Sequence, residues 1–97
     1  MARLKWTRQA VDDIESICEF IGKDSFQYAQ MFSHDVIKAV KRIEFFPLSG
    51  RIVPEFSHKK LREVIRGNYR IIYRVHDDTV EILTIYHSAR ILNIDLK

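Results

Sequence analysis

Ninety-seven residues suffice for one domain, 1–97, with a single modest core, and are too few for separate catalytic and substrate domains, so any site must lie on the surface of that core. The net charge is +3, and neither the opening Met1-Ala2-Arg3-Leu4-Lys5 nor any later stretch carries the long apolar run of a signal peptide or membrane span, so a cytoplasmic chain with no membrane contact is expected. The one cysteine, Cys18, cannot close an internal disulfide and falls on the apolar side of a predicted helix, where it reads as core filler; no metal site and no cofactor is expected.

Leu4 and Trp6 fit a short opening strand. Thr7 is placed to cap a helix whose apolar positions are Ala10, Ile14, Ile17 and Ile21, with Val11 and Cys18 beside them. Gly22-Lys23-Asp24 ends that helix and Ser25 caps a second, in which Ala29, Phe32, Val36, Ala39, Ile43 and Phe46 keep the helical spacing down to Pro47. The two form an antiparallel hairpin. Asp12, Asp13 and Glu15 near the start of the first helix, and Lys38, Lys41 and Arg42 near the end of the second, suit the two helix dipoles.

Pro47-Leu48-Ser49-Gly50 breaks the helical pattern, and Arg51 to Glu55 lead as extended chain into a sheet. Beyond Arg62 the periodicity is two. Gly67-Asn68 and Asp77-Asp78 are hairpin turns between strands running through Arg62–Ile65, Tyr69–Val75 and Val80–His87, a three-stranded antiparallel meander. The fold class is therefore α+β, in the order β-α-α-β-β-β, with the helical hairpin packed on a small antiparallel sheet. With Asp77-Asp78 as the turn, a regular ladder opposes Arg74 with Glu81, Ile72 with Leu83 and Arg70 with Ile85. One face then carries Val64, Ile71, Tyr73, Val75, Val80, Ile82 and Tyr86 towards the helices. The other carries Glu63, Arg70, Arg74, Glu81 and His87 among Ile65, Ile72, Leu83 and Ile85, with Arg70 and His87 diagonal neighbours roughly 7 Å apart. A slip of one residue would exchange the faces.

The positive charge is concentrated. Residues 51–74 hold seven basic and two acidic side chains, whereas residues 1–50 hold seven of each. Such a segment attracts polyanions, or is a solvated face, or meets an acidic partner protein. Cutting RNA without a metal takes a base for the ribose 2′-hydroxyl, an acid for the leaving 5′-oxygen, and a cation for the charge growing on the phosphate. Glu55, His87 and Arg70 are of those types: histidine titrates near neutrality, and a guanidinium binds two phosphate oxygens at once. Each also has a plainer reading. Glu55 would neutralise a neighbouring base, His87 would be a hydrogen-bonded surface histidine, and Arg74 opposite Glu81 would be an ordinary cross-strand ion pair.

The pattern Trp6-Thr7, Ala10, Asp13-Ile14, then Pro47, Gly50-Arg51, Val53-Pro54-Glu55, Arg62-Glu63, Tyr69-Arg70-Ile71-Ile72-Tyr73-Arg74-Val75 and His87 with Ala89-Arg90 resembles the RelE/ParE superfamily of toxins of type II toxin–antitoxin systems. The likeness covers nearly the whole chain. It implies a helical hairpin on a small antiparallel sheet, and a cognate antitoxin as partner, through which alone operator DNA would be bound. RelE-like members, the YoeB group among them, cut mRNA on the ribosome, whereas ParE-like members inhibit DNA gyrase and are not nucleases. Pro54-Glu55, the Tyr69–Tyr73 run with Arg70, and Tyr86-His87 match the YoeB positions of glutamate, arginine and histidine. The resemblance thus implies an endoribonuclease, an mRNA interferase that inhibits translation, with Glu55 as base, His87 as acid and Arg70 as transition-state stabiliser. Lys59, Lys60, Arg62, Arg66 and Arg90 would hold RNA. The ten residues after His87, and the likeness of the hairpin to ParE, keep the gyrase inhibitor as the alternative. A toxin retained only for antitoxin binding is a third reading. Ile65, Ile72, Leu83 and Ile85 on the charged face would offer an antitoxin its docking patch.

Overall fold

A computed structural model describes residues 1–88. In chain order the elements are β1 (Arg3–Trp6), α1 (Arg8–Gly22), α2 (Phe26–Phe45), β2 (Arg51–Ile52), β3 (Leu61–Arg66), β4 (Tyr69–His76) and β5 (Thr79–His87). Arg90 and the tail 91–97 lie outside the described residues.

Both helices begin where their caps predict. Thr7 and Ser25 are extended, and their hydroxyls accept the backbone N–H of Ala10 and Tyr28, each meeting one of the donors a helix start leaves open. The acids of α1 sit beyond its first turn, which holds none, while α2 carries Arg42 in its last turn. The hairpin lays Ala10, Phe32, Val36, Ala39, Val40 and Ile43 against Ile71, Tyr73, Val80, Ile82 and Ile85 of the sheet. Ile43, Ile71 and Ile82 are fully buried, and each such aliphatic side chain is worth about 1.5–3 kcal/mol. Among the described residues no helix is long and apolar enough to cross a membrane.

The five strands lie in the order β1-β5-β4-β3-β2. The meander β3-β4-β5 is antiparallel and turns at Gly67 and Asp77, both with positive φ (56° and 52°). Its last strand is not the sheet's edge. β1 pairs with β5 in parallel, Leu4 beside Val80 and Trp6 beside Ile82, so the sheet is mixed where a wholly antiparallel one was expected. The helical hairpin serves as part of the long crossover that a parallel pair requires.

The regular ladder fails at one place. Arg74 opposes Glu81, Val75 opposes Val80 and His76 opposes Thr79 as expected, but Tyr73 opposes Ile82 while Ile72 opposes Thr84. Leu83 is an extra residue, a β-bulge, and everything after it is shifted by one. Ile85 consequently joins Ile71 in the core under the helices, whereas Tyr86 packs on the opposite face with Val53, Leu61 and Ile72. Both are reversed from the predicted faces.

Candidate functional site

The sheet face turned away from the helices is covered in part by the chain between β2 and β3. Val53 and Phe56 fold over it and, with Leu61 and Ile72, make a second small apolar cluster. Ile72 is therefore fully buried, and Ile85 is only 3% exposed on the helix side, so neither belongs to an open docking patch. Ile65 remains exposed.

Beside this cluster lies a chain of four charges. Alternation along β3 puts Glu63 on the same face as Leu61, and the β3–β4 register sets Ile65 opposite Arg70, so Glu63 and Arg70 meet diagonally. The Glu63 side chain is fully buried and holds two guanidinium groups, Arg70 Nε at 2.5 Å and Arg51 Nε at 2.5 Å. Arg70, itself 7% exposed, turns its two terminal nitrogens to Glu55, at 2.6 and 2.8 Å, in a bidentate pair. All three nitrogens of Arg70 thus donate to carboxylates. The hydrogen bond from Arg70 lowers the Glu55 carboxyl from its ordinary 4.5 to about 2, and the Glu55 carboxylate in turn raises the Arg70 guanidinium. Two arginines face two glutamates, so the network is neutral as a whole.

His87 is elsewhere. Shifted by the bulge, it opposes Tyr69 on the helix side of the sheet, where the two rings meet edge to face at 5.3 Å and Tyr69 meets Phe32 at 5.0 Å. The expectation that Arg70 and His87 are diagonal neighbours on one face is therefore corrected. Arg70 opposes Tyr86, and the cause is the one-residue insertion at Leu83, which no alternation of apolar residues announces. Of the three residues, Glu55 and Arg70 come together and His87 does not join them.

The other basic candidates are dispersed. Arg62 lies on the helix-side parity and is tied to backbone carbonyls, donating to Gly50 at 3.0 Å and Lys59 at 3.1 Å. Arg66 donates to the Ile65 carbonyl, and Lys59 and Lys60 are exposed where the covering loop re-enters the sheet. The expected Arg74–Glu81 cross-strand pair is present at 2.5 Å, with both side chains about a third exposed. Arg51 and Glu63 were not among the candidate site residues. For Glu63 a signal is present in the sequence, because the hairpin register sets it diagonal to Arg70 on the adjacent strand; for Arg51 there is none, because its contact rests on the pairing of β2 with β3.

The arrangement of hairpin, sheet and covering loop has known counterparts. A family described as "ParE toxin of type II toxin-antitoxin system, parDE" matches residues 4–92. The chain belongs to this ParE toxin family. Toxin RelE2 of Caulobacter vibrioides is 34% identical over 92 residues, spanning 94% of this chain and 100% of that one. The Y4kP protein of Sinorhizobium fredii is 33% identical over 88 residues, 89% of this chain and 88% of that one. Among solved structures, the chromosomal ParDE system from P. aeruginosa shares the fold with a TM-score of 0.72 at 24% identity, over 90% of this chain and 96% of that one. The RelBE2 complex from Mycobacterium tuberculosis does so with 0.64 at 22%, over 89% and 96%. The RelE/ParE resemblance read from the sequence is met, and this ParE-family chain is the toxin of a type II toxin–antitoxin system.

Proposed function

We propose that this toxin, neutralised by a cognate antitoxin, acts by binding its target rather than by cutting RNA, and that the target is DNA gyrase, as for ParE-like members of the superfamily. The observation that carries this reading is the neutral Arg51–Glu63–Arg70–Glu55 network. A phosphoryl group entering there would have to displace two carboxylates from one guanidinium, and the network itself carries no net charge to draw it in. A general base works best with a pKa near the operating pH, and a carboxyl held at about 2 is a weak one. His87, on the opposite sheet face, is not aimed at the same reacting phosphate. The network is better suited to pinning the covering loop onto the sheet than to chemistry.

A second reading is favoured by one observation, the direct contact of Glu55 with Arg70. In it the toxin is a ribosome-dependent endoribonuclease with Glu55 as base, Arg70 as stabiliser and His87 as acid, and with Lys59, Lys60, Arg62, Arg66 and Arg90 on RNA. It requires Glu55 to leave Arg70 and His87 to reach the other face on the ribosome. The test runs purified toxin in two assays, a gyrase supercoiling reaction and primer extension on a defined mRNA in reconstituted translation. Inhibited supercoiling with intact mRNA is expected. Cuts in the A-site codon that vanish in Glu55→Ala and His87→Ala would overturn the binding reading.

A further inference from the structure

The bulge at Leu83 is gripped from α1. The Thr7 backbone N–H donates to Ile82 O at 3.1 Å, and its hydroxyl lies 2.9 Å from Ile82 O and 2.7 Å from Leu83 O, with its one proton available to them, while accepting from Ala10 N. Two turns on, Asp13 Oδ2 accepts the Ile85 N–H at 3.1 Å and the Thr84 hydroxyl, and Oδ1 accepts Gln9 Nε2 at 2.8 Å. These contacts bracket the inserted residue. A bulge interrupts the ladder and leaves backbone groups without their strand partners, and a buried N–H must be met by something. Here β1 ends at Trp6 beside Ile82, whose carbonyl takes the Thr7 N–H just past that strand, and on the side of β5 left open beyond it the Leu83 carbonyl and the Ile85 N–H, on either side of the bulge, turn to Thr7 and Asp13.

The consequence reaches beyond the bulge. Were Leu83 taken into the ladder instead of bulging out of it, the pairing would run on with Ile72 opposite Leu83, Arg70 opposite Ile85 and Tyr69 opposite Tyr86. His87 would then stand on the face of Arg70 and Glu55. With it, Ile85 is in the core and His87 is against Tyr69. We infer that Asp13, assisted by Thr7, is a positioning residue that holds the Leu83 bulge and through it assigns His87 to the helix side of the sheet. The N-cap of α1 and a residue of its second turn thereby decide which surface of a distant strand carries the histidine. This holds whichever target the toxin has.

Isotope-labelled full-length toxin tests it by nuclear Overhauser contacts between the Tyr69 and His87 rings and by amide hydrogen exchange. In Asp13→Ala the Ile85 amide should exchange ~10- to 100-fold faster relative to β4 amides, the size expected for losing a charge-assisted bond, and the ring contacts should be lost. Asp13→Asn, which keeps one acceptor, should fall between. Deleting Leu83 restores an uninterrupted ladder with native pairs on both sides, so in that background Asp13→Ala should leave the ring contacts intact. Retention of both signals in Asp13→Ala would overturn the inference. So would equal loss of the ring contacts in the two backgrounds, since Asp13 would then act on the whole fold rather than on the bulge. Should Asp13→Ala not fold, Asp13→Asn decides. Faster exchange confined to Ile85 and its neighbours supports the inference, and a uniform rise across the chain overturns it.

Discussion

Glu63→Gln is the sharpest probe of the charge network, because it changes one atom in a fully buried side chain and leaves volume unchanged. Its two arms differ in worth. The Arg51 side chain is 62% exposed, so that contact is screened and contributes at most about 1 kcal/mol. The Arg70 side chain is 7% exposed, and breaking a buried pair from one side costs ~3–5 kcal/mol because the remaining charge cannot return to water. Glutamine offers one oxygen to two guanidinium donors and turns an amide N–H₂ towards the other. Glu55 still compensates Arg70, which favours the lower end, about 3 kcal/mol. For a domain of this size that is a fall in Tm of roughly 12–24 °C. Against a typical total of ~5–15 kcal/mol it is a large fraction. Urea unfolding followed by circular dichroism measures it directly, with Arg51→Ala as the paired control, expected to lose less than about 1 kcal/mol. If Glu63→Gln stays within about 1 kcal/mol of wild type, or Arg51→Ala costs as much as Glu63→Gln, the network does not hold the loop.

Gly50→Ala places a methyl 2.5 Å from the Tyr73 hydroxyl oxygen and 2.6 Å from the Glu63 carbonyl oxygen, and should cost ~1–3 kcal/mol by urea unfolding. Because Gly50 N donates to that hydroxyl, which itself donates to Pro47 O, adding Tyr73→Phe should give a cost different from the sum. Thr7→Val removes a helix cap and the hydroxyl contacts with β5, and should lower stability by ~1–2 kcal/mol in thermal melts, with Thr7→Ser recovering most of it. Glu55 is lowered from 4.5 to about 2 in the fold, so between those pH values the unfolded chain binds the extra proton and stability must fall as pH falls. A plot of unfolding free energy against pH should be flatter over that window in Glu55→Gln, and equal slopes would show that the pair with Arg70 gives no preferential stabilisation.

Much of the fold was legible because its signals are local. Thr7 and Ser25 cap helices through their own hydroxyls, the apolar spacing of Ala29, Phe32, Val36 and Ile43 is a property of one helix, and Gly67 and Asp77 mark turns by the conformation they adopt. The parallel pairing of β1 with β5 was not legible in this way, since Leu4 and Val80 are far apart in the chain. The candidate site divides along the same line. Glu55, Arg70 and His87 were identifiable by residue type and by the motifs they sit in, and the pairing of Arg74 with Glu81 followed from a turn next to them. Whether the three converge depended on parity along β5, and parity is reversed by one inserted residue.

The sequence by itself determined the helices, the turns, the strands of the meander and membership of the toxin superfamily, since each rests on neighbours within a few residues or on a pattern along the chain. Only the tertiary structure decided which face of the sheet carries His87, and that Glu63 joins Arg51 to Arg70. A bulge at Leu83 is stabilised by Thr7 and Asp13, some seventy residues away in the chain. A strand has only two faces, so that distant grip, rather than the alternation of β5 itself, chooses between them.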